Sequence, residues 1–482
     1  VSVSLTPFAN RAKEWLAGHR LAITPPQRRA LLVVGDLIVT NVSVLASLRI
    51  WAWRGEIAFD RMFLLAQVEW FLGLSAFWVV LAWAADLYDL ARAGRLPEIV
   101  RRLASLAGSQ ASLYLVIFFL SPRDALPRLF FLYYLVISTP LVFLVRWVYV
   151  SFLTRSVFRQ RLVIVGAGWA GKTMAETIGS YAQQDYLLVG FVDDDPDLQE
   201  TTGGTSILGT SADLADLVRR RQIDGVVVAV TGQIRAELFQ ALLDCQAAGV
   251  PVIRMTTLYE TLTGRIPVAH VRNDWLLPSE IGGGQSPWAY RLFVGLLDGG
   301  FGVLGGLLLL VLGPLVALLI KLDSPGPVFY RQARLGRGGI PFELLKFRSM
   351  VIDAEHESGP QWAALDDPRV TRVGRFLRVT RLDELPQVLN ILRGDIHLIG
   401  PRPERPELIA QFEQEVPFYR ARLAVKPGLT GWAQVKFGYG NTVEDTLVKL
   451  QYDLYYVRHR SVALDLLILL KTVWVVVAFR GM

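Results

Sequence analysis

Residues 292–320 read LFVGLLDGGFGVLGGLLLLVLGPLVALLI, and how this stretch meets a membrane decides the architecture. Its 29 residues would make a helix of about 44 Å, too long for a comfortable straight crossing of roughly 30 Å of hydrocarbon. Asp298 sits early in it and Gly313-Pro314 late. Proline removes a helix hydrogen bond and bends the axis. A full crossing would carry everything from Lys346 to Met482 through the bilayer. A bent, re-entrant helix, whose Arg291 and Lys321 ends return to the same face, keeps that part on the side from which it came.

Upstream, four apolar segments at about 31–50, 63–83, 104–121 and 129–150 each approach the length of a membrane span. Their loops are unequal in charge. The N-terminal arm carries Arg11, Lys13, Arg20, Arg28 and Arg29; the second loop carries Arg92, Arg95, Arg101 and Arg102; Arg155, Arg159 and Arg161 follow the fourth segment. The other loops hold only Arg54, Arg61, Arg123 and Arg128. Twelve basic residues against four place the N-terminus and everything after about residue 155 in the cytoplasm. The first 30 residues are polar and basic, without the short apolar core of a cleavable signal peptide.

Composition agrees with a chain that is part membrane, part water-facing. Of 482 residues, 52% are hydrophobic and 19% charged. The net charge of +7 suits an anionic lipid surface or phosphorylated substrates, and no nucleic-acid motif appears. Cys245 is the only cysteine, which rules out an intrachain disulfide and a Cys-rich zinc site. The histidines at 19, 270, 356, 397 and 459 lack metal-ligand spacing.

Between about 160 and 275 the pattern changes to alternating strands and helices, which implies a parallel sheet. Gly166, Gly168 and Gly171 have the spacing of a dinucleotide-binding turn, and Asp193 ends the second strand, where an acid can hold a ribose hydroxyl. About 115 residues make only a truncated Rossmann unit, so a structural, dimerising or regulatory role competes with nucleotide binding.

Downstream lies RLDELPQ at 381–387, preceded by Arg369, Arg372, Arg375 and Arg378. Asp383 and Glu384 beside so many guanidiniums mark a place to gather phosphate, hold a metal and aim a carboxylate at phosphorus. A carboxylate near its ordinary pKa of ~3.9 is ionised at neutral pH and needs no general base to act as a nucleophile. At three-residue spacing the arginines drift around a helix, so only some can face the site; the others would meet lipid headgroups.

The motifs KFRSM (346–350), DPRVTR (367–372), LDELPQ (382–387), GPRP (400–403) and KPGLTG (426–431) occur in order. From about Tyr290 onward the chain resembles the bacterial polyprenyl-phosphate hexose-1-phosphate transferases, the initiating sugar transferases of exopolysaccharide and O-antigen synthesis. The longer layout resembles the large members of that family. The resemblance implies a four-helix transmembrane domain (1–155), a Rossmann-like, CoA-binding-like cytoplasmic domain (156–280), and an α+β catalytic domain (281–482) with a proline-broken re-entrant helix at Pro314. The site would lie on the cytoplasmic face of the bacterial inner membrane.

It further implies transfer of a sugar 1-phosphate from a UDP-hexose to undecaprenyl phosphate, with release of UMP. Asp383 would be the nucleophile and Glu384 the residue that orients Mg²⁺. Lys346, Arg348, Arg378 and Arg402 would bind phosphate, and Asp453 and Asp465 align with acidic positions of the family. Two departures are visible. The basic-Arg-x-x-Asp entry to the membrane helix is replaced by Arg291 followed by Val294, with Asp298 as the shifted acid; and Gly394-Asp395-Ile396-His397 replaces Gly-Asp-Met-Ser. A membrane nucleotide-sugar dehydratase is disfavoured because Tyr181, Tyr186 and Tyr259 have no Lys four residues on. A non-catalytic scaffold is disfavoured by the intact acidic pair. Which sugar is used, and whether the chain forms a homodimer, stay open.

Overall fold

A computed structural model describes residues 24–90, 96–120, 128–153, 158–195, 205–268, 288–352, 367–438 and 442–477. Arg11, Lys13, Arg20, Arg92, Arg95, Arg123 and Arg155 of the charge pattern, and His19, His270 and His356, lie outside them. The chain forms two compact units, Val1–Thr263 and Gly264–Met482.

The first unit opens with a helical bundle: α1 (Pro25–Arg54), a short helix Arg61–Ala66, α2 (Val68–Ala84), α3 (Leu96–Leu120) and α4 (Arg128–Val148). Thr24 and Gln27 form a capping box with Pro25 at the first position, which fixes where α1 begins. The bundle is inside out relative to a water-soluble one. On α1, Asp36, Thr40, Ser43 and Ser47 are buried while Leu31, Val34, Ile38, Val42 and Leu45 are exposed. On α4, Tyr134, Ser138 and Arg146 are buried while Leu132, Val136, Phe143 and Leu144 face out. Arg146 pairs with Asp36 at 2.7 Å, both fully buried, and Trp78 and Tyr88 also donate to Asp36. Apolar side chains outward and a paired charge inward are what a lipid environment selects.

Among the described residues, three helices are long and apolar enough to cross a membrane: Pro25–Arg54, Leu129–Phe152 and Trp288–Asp323, with Val68–Ala84 a shorter apolar one. The second expected segment, 63–83, is divided at Gln67, where Asp60 caps Arg61–Ala66 and a new helix starts at Val68.

The α/β module follows: β1 (Gln160–Val165), α5 (Trp169–Tyr181), β2 (Tyr186–Val192), α6 (Leu214–Arg220), β3 (Gly225–Val228), α7 (Ala236–Ala247), β4 (Val252–Arg254) and α8 (Met255–Thr263). Its strands pair in parallel in the order β2-β1-β3-β4. Ile164, Met174 and Phe191 belong to one buried layer, Val165, Leu214 and Leu238 to the other, as strands covered on both faces require. Buried Arg28, at the base of α1, donates to Gln184 O and Asp185 Oδ1, each at 2.9 Å, and to Phe158 O. The start of α1 and the α/β module therefore lie on the same side, as the loop charges require.

The second unit contains α9 (Trp288–Asp323), a hairpin of β5 (Phe329–Leu335) and β6 (Pro341–Phe347), α10 (Arg372–Val379), a 3₁₀ turn Leu382–Gln387, α11 (Val388–Arg393), β7 (His397–Ile399), α12 (Pro406–Glu415), a second 3₁₀ turn Tyr419–Ala424, β8 (Gly428–Thr430), α13 (Trp432–Lys436), α14 (Val443–His459) and α15 (Val462–Val477). Its core gathers Leu344, Ile391, Ile396, Trp432, Tyr456 and Ile468. Ile266 and Val268 are buried here, so the chain joins this unit well before residue 281. β7 runs parallel to β8, and a Cβ on Gly428 would fall on the backbone of Gly400; only glycine lets these two motif segments meet.

One helix differs from expectation. α9 spans 36 residues without interruption, about 54 Å, and Pro314 lies inside it rather than at a break. The proline removes one backbone donor without ending the helix, because the turns on either side remain paired. α15 turns its charged residues inward. Asp465, Ile468 and Lys471 are its buried residues, while Val462, Leu466 and Val473 are exposed. Its polar side chains find partners in the domain, such as Tyr290, whose hydroxyl donates to Asp465 at 2.8 Å.

Candidate active site

The acidic pair sits on the 3₁₀ turn Leu382–Gln387, entered through Arg381 at φ 60°, a left-handed conformation that a non-glycine residue holds only when its surroundings impose it. Leu382 and Leu385 anchor the turn by packing beside Phe347, Leu377, Val316 and Ile320. Asn390, fully buried on α11, supplies the second anchor. Its Oδ1 accepts from Leu345 N at 3.0 Å and its Nδ2 donates to Glu343 O at 2.7 Å. This clamps the turn to β6, the strand that carries Lys346. Nothing in hydrophobic periodicity singles out Asn390; only its rarity as a polar residue in an apolar run could have.

Lys346 Nζ donates to Glu384 Oε1 at 2.9 Å, and Arg402 Nη2 donates to the same oxygen at 3.2 Å. Asp383 is 8% exposed. Burial and the neighbouring Glu384 push its carboxyl above the ordinary range, against the pull of Lys346, Arg378 and Arg381. The expectation of an ordinary Asp383 pKa is thereby corrected. Burial works in the same direction on Glu384, but the Lys346 ammonium and the Arg402 guanidinium outweigh it and hold Glu384 far below the carboxylate norm. Two adjacent acids are thus split in character: Glu384 is a fixed anion, and Asp383 is the more basic carboxylate, which is the better nucleophile once ionised.

The other basic residues expected at the site divide. Arg378 donates through Nε to Ser349 Oγ at 2.9 Å and remains close enough to influence Asp383. Arg348 is spent elsewhere: Nη1 donates to Pro325 O at 2.6 Å, and Nη2 to Ser324 O and Oγ at 2.7 and 2.9 Å. It is a strut for the exit of α9. Arg369 is taken by Asp367 at 2.6 Å, and Arg372 and Arg375 are exposed on α10 beside exposed Phe376 and Val379.

Asp453 pairs with Arg422 at 2.7 Å, and burial lifts its pKa to about 6 despite that partner. Neither Asp453 nor Asp465 is bonded to the Glu384 cluster. Asp298 accepts from Leu398 N at 2.8 Å and lies 2.5 Å from His397 Nδ1, so the two departures from the usual motifs meet each other.

In the α/β module, Gly166 has φ 103° and a Cβ on Gly171 would strike Gly166 O, so both glycines are required by the turn itself. Around Gly168 there is open space. Asp193 folds back: Oδ2 accepts from Ala167 N at 2.6 Å and Oδ1 from Asp195 N at 2.9 Å.

Residues 289–479 match the family model of bacterial sugar transferases, and residues 83–255 match that of a CoA-binding domain. An N-acetylgalactosaminephosphotransferase of Aeromonas hydrophila, named for UDP-N-acetylgalactosamine and undecaprenyl phosphate, is 39% identical over 301 residues, 61% of this chain and 67% of that protein. The chain belongs to the bacterial sugar transferase family. A UDP-glucose:undecaprenyl-phosphate glucose-1-phosphate transferase of Xanthomonas campestris pv. campestris is 32% identical over 334 residues, 66% of the transferase described here and 67% of the relative. The Escherichia coli K12 enzyme of the same name is 45% identical over 179 residues, 36% of this transferase and 38% of its own length. The family assignment makes this chain a sugar-phosphate transferase, and its apolar helices make it membrane-associated.

Proposed function

We propose that this transferase moves a sugar 1-phosphate from a UDP-sugar to undecaprenyl phosphate at the cytoplasmic face of the bacterial inner membrane, through an acyl phosphate on Asp383. The single observation that carries the reading is the split of the acidic pair, with Glu384 held by Lys346 and Arg402 and Asp383 left as the more basic carboxylate. An Asp383 carboxylate oxygen attacks the sugar-side phosphorus of the diphosphate. The bond from that phosphorus to the bridging oxygen breaks, and UMP leaves. A phosphate oxygen of the lipid then attacks the same phosphorus and releases the carboxylate. One phosphoanhydride replaces another, so the protein's task is to position anions and neutralise their repulsion. Lys346, Arg378 and Arg402 supply positive charge, and a guanidinium can grip phosphate with two bonds.

Mg²⁺ fits this donor set. Among the described residues no three His, Cys, Asp or Glu side chains gather into a metal cage. Magnesium takes one or two carboxylates and fills its shell with water and substrate phosphate. Glu384, ionised throughout the neutral range, would be its ligand, and the bound ion would supply charge neutralisation on the diphosphate.

The contacts of α9 support a re-entrant topology. Near its start, Asp298 bonds the β7 backbone, and Gly302 and Gly305 meet Leu392 and Val388. Near its end, Val316 and Ile320 pack on Phe347, and Asp323 Oδ2 accepts from Val373 N at 2.9 Å. Between these, Leu307, Leu310, Val311 and Leu315 are exposed. A helix touching one domain at both ends, with a bare apolar middle, suits entry into one leaflet better than a crossing. Purified protein incubated with Mg²⁺, undecaprenyl phosphate and UDP-glucose, UDP-galactose, UDP-N-acetylglucosamine or UDP-N-acetylgalactosamine should release UMP with one or more of them. No release with any donor would overturn the reaction. In a Cys245→Ser background, cysteines at Trp288 and Ile340 should both label from the cytoplasmic side; labelling of Ile340 from outside would overturn the topology.

A further inference from the structure

The turn Pro401–Glu404, which carries Arg402 to Glu384, is held in an unusual way. Pro401 and Pro403 have no N–H to offer, so the turn must be secured largely through its carbonyls. All four are bonded. Pro401 O accepts from Gly428 N at 2.9 Å, Arg402 O from Arg422 Nη2 at 2.9 Å, Pro403 O from Arg334 Nη1 at 3.1 Å, and Glu404 O from Leu335 N at 3.1 Å. Two of the four donors are side chains. Both belong to inward arginines, Arg422 with 6% and Arg334 with 15% of the side chain exposed.

Arg422 is itself over-determined. Its Nη1 donates to Tyr419 OH at 2.8 Å, and its Nη2 lies 2.7 Å from Asp453 Oδ2. Asp453 is 2% exposed and sits on the 17-residue helix α14. Arg334 Nη2 donates to Gln332 Oε1 at 2.6 Å, and Nη1 stands 3.6 Å from Glu404. Leu335, Ile409, Leu423, Val425 and Pro427 line a small apolar hollow against the turn. A guanidinium bonded to a backbone carbonyl fixes the main chain without competing for the phosphate that the neighbouring side chain would bind.

The structure assigns Arg422, oriented by Asp453, and Arg334 as positioning residues that hold the Pro401–Glu404 turn so that the Arg402 guanidinium is aimed at Glu384 and the diphosphate. This rests on the proposed role of Arg402 in the transferase site. Asp453 thereby acts on the reaction through Arg422 and Arg402 rather than by touching substrate. Lysine at 422 keeps the charge opposite Asp453 but loses the planar fork that reaches two acceptors at once.

The test is a double-mutant cycle on the full-length protein in detergent. UMP release is measured with Mg²⁺, undecaprenyl phosphate and whichever of UDP-glucose or UDP-N-acetylgalactosamine gives the faster wild-type turnover. Arg422→Lys should lower kcat/KM by about 10- to 100-fold, a loss typical of a misplaced catalytic group. In an Arg402→Ala background the same change should cost less than about 2-fold, because the group it positions is gone. Thermal stability should fall equally in both backgrounds. An equal activity loss in both backgrounds, or none in either, would overturn the positioning role while leaving the site intact. If Arg402→Ala alone leaves kcat/KM unchanged, it is the place of Arg402 in the site that fails, and the positioning role falls with it. Should Arg422→Lys not assemble, Arg334→Gln goes through the same cycle with the same criteria.

Discussion

The chain has two turns that end a strand or helix with acids beside glycine or arginine, and they are built to opposite purposes. At Gly166–Gly171 the acid at the end of β2 is consumed locally: Asp193 bonds Ala167 N and Asp195 N, completing the turn. At Arg381–Gln387, Glu384 looks outward to Lys346 and Arg402, which come from β6 and from a separate turn. Both carry spacings that suggest phosphate chemistry. What separates a site from a well-made turn is whether its polar groups are satisfied by the chain's own backbone or by charges that a ligand can share.

The sharpest way to break that comparison is at the acidic pair. Asp383→Asn is isosteric and should reduce UMP release by at least about 10³-fold, since the attacking atom is lost. Glu384→Gln should cost about 10²-fold and flatten the dependence on Mg²⁺ concentration, because it removes the fixed anion while leaving the attacking carboxylate. Near-normal rates in Asp383→Asn would show that the outward-looking turn is as inert as the glycine turn.

A smaller effect sharpens the electrostatic part. Asp383 must be ionised to attack, and burial and Glu384 raise its pKa. The acid limb of kcat/KM should therefore lie above the ~3.9 of an ordinary aspartate. Lys346 opposes that rise, so Lys346→Met should move the limb to still higher pH and cost roughly 10-fold at pH 7 by removing phosphate-facing charge. A limb that stays put, or moves to lower pH, would contradict the assigned balance of charges.

The smallest effect is expected in the α/β module. Asp193→Asn weakens a charge-assisted bond to Ala167 N and should cost about 1 kcal/mol of stability. UMP release should stay within about 2-fold of the parent. Asp193 is a cleaner target than Gly166, whose φ of 103° and crowded surroundings mean that a side chain there disrupts the fold. A loss of turnover in folded Asp193→Asn, together with a rise in turnover on adding dinucleotide that the parent shows and the variant lacks, would make this turn a ligand site after all.

How much of this was legible in the sequence depended on whether the signal was local. The apolar segments, the strand–helix alternation and the ordered motifs are contiguous in the chain, and all five motifs fall within the matched family region. The inward polar face of α15 was not legible, because 16 residues containing Asp465 and Lys471 read alike whether those groups meet water or buried partners. The uninterrupted course of α9 through Pro314 was also hidden, since a missing donor bends or breaks a helix according to what packs against it. Arg348 looked like a phosphate ligand by its motif, yet its bonds go to Ser324 and Pro325, 24 and 23 residues earlier. Asn390 and Arg422 were missed because a buried polar residue declares itself only through distant partners, Glu343 O in one case and Arg402 O in the other.

The central claim is that phosphorus passes through Asp383, and it has a direct measurement. The protein is mixed with Mg²⁺ and a UDP-sugar labelled with ³²P at the sugar-side phosphate, without undecaprenyl phosphate. The account predicts a burst of UMP approaching one per active protein, label retained on the protein under denaturing conditions, its release as lipid-linked sugar when undecaprenyl phosphate is added, and neither burst nor label in Asp383→Asn. UMP release that strictly requires the lipid, with no label on the protein at any time, would contradict it.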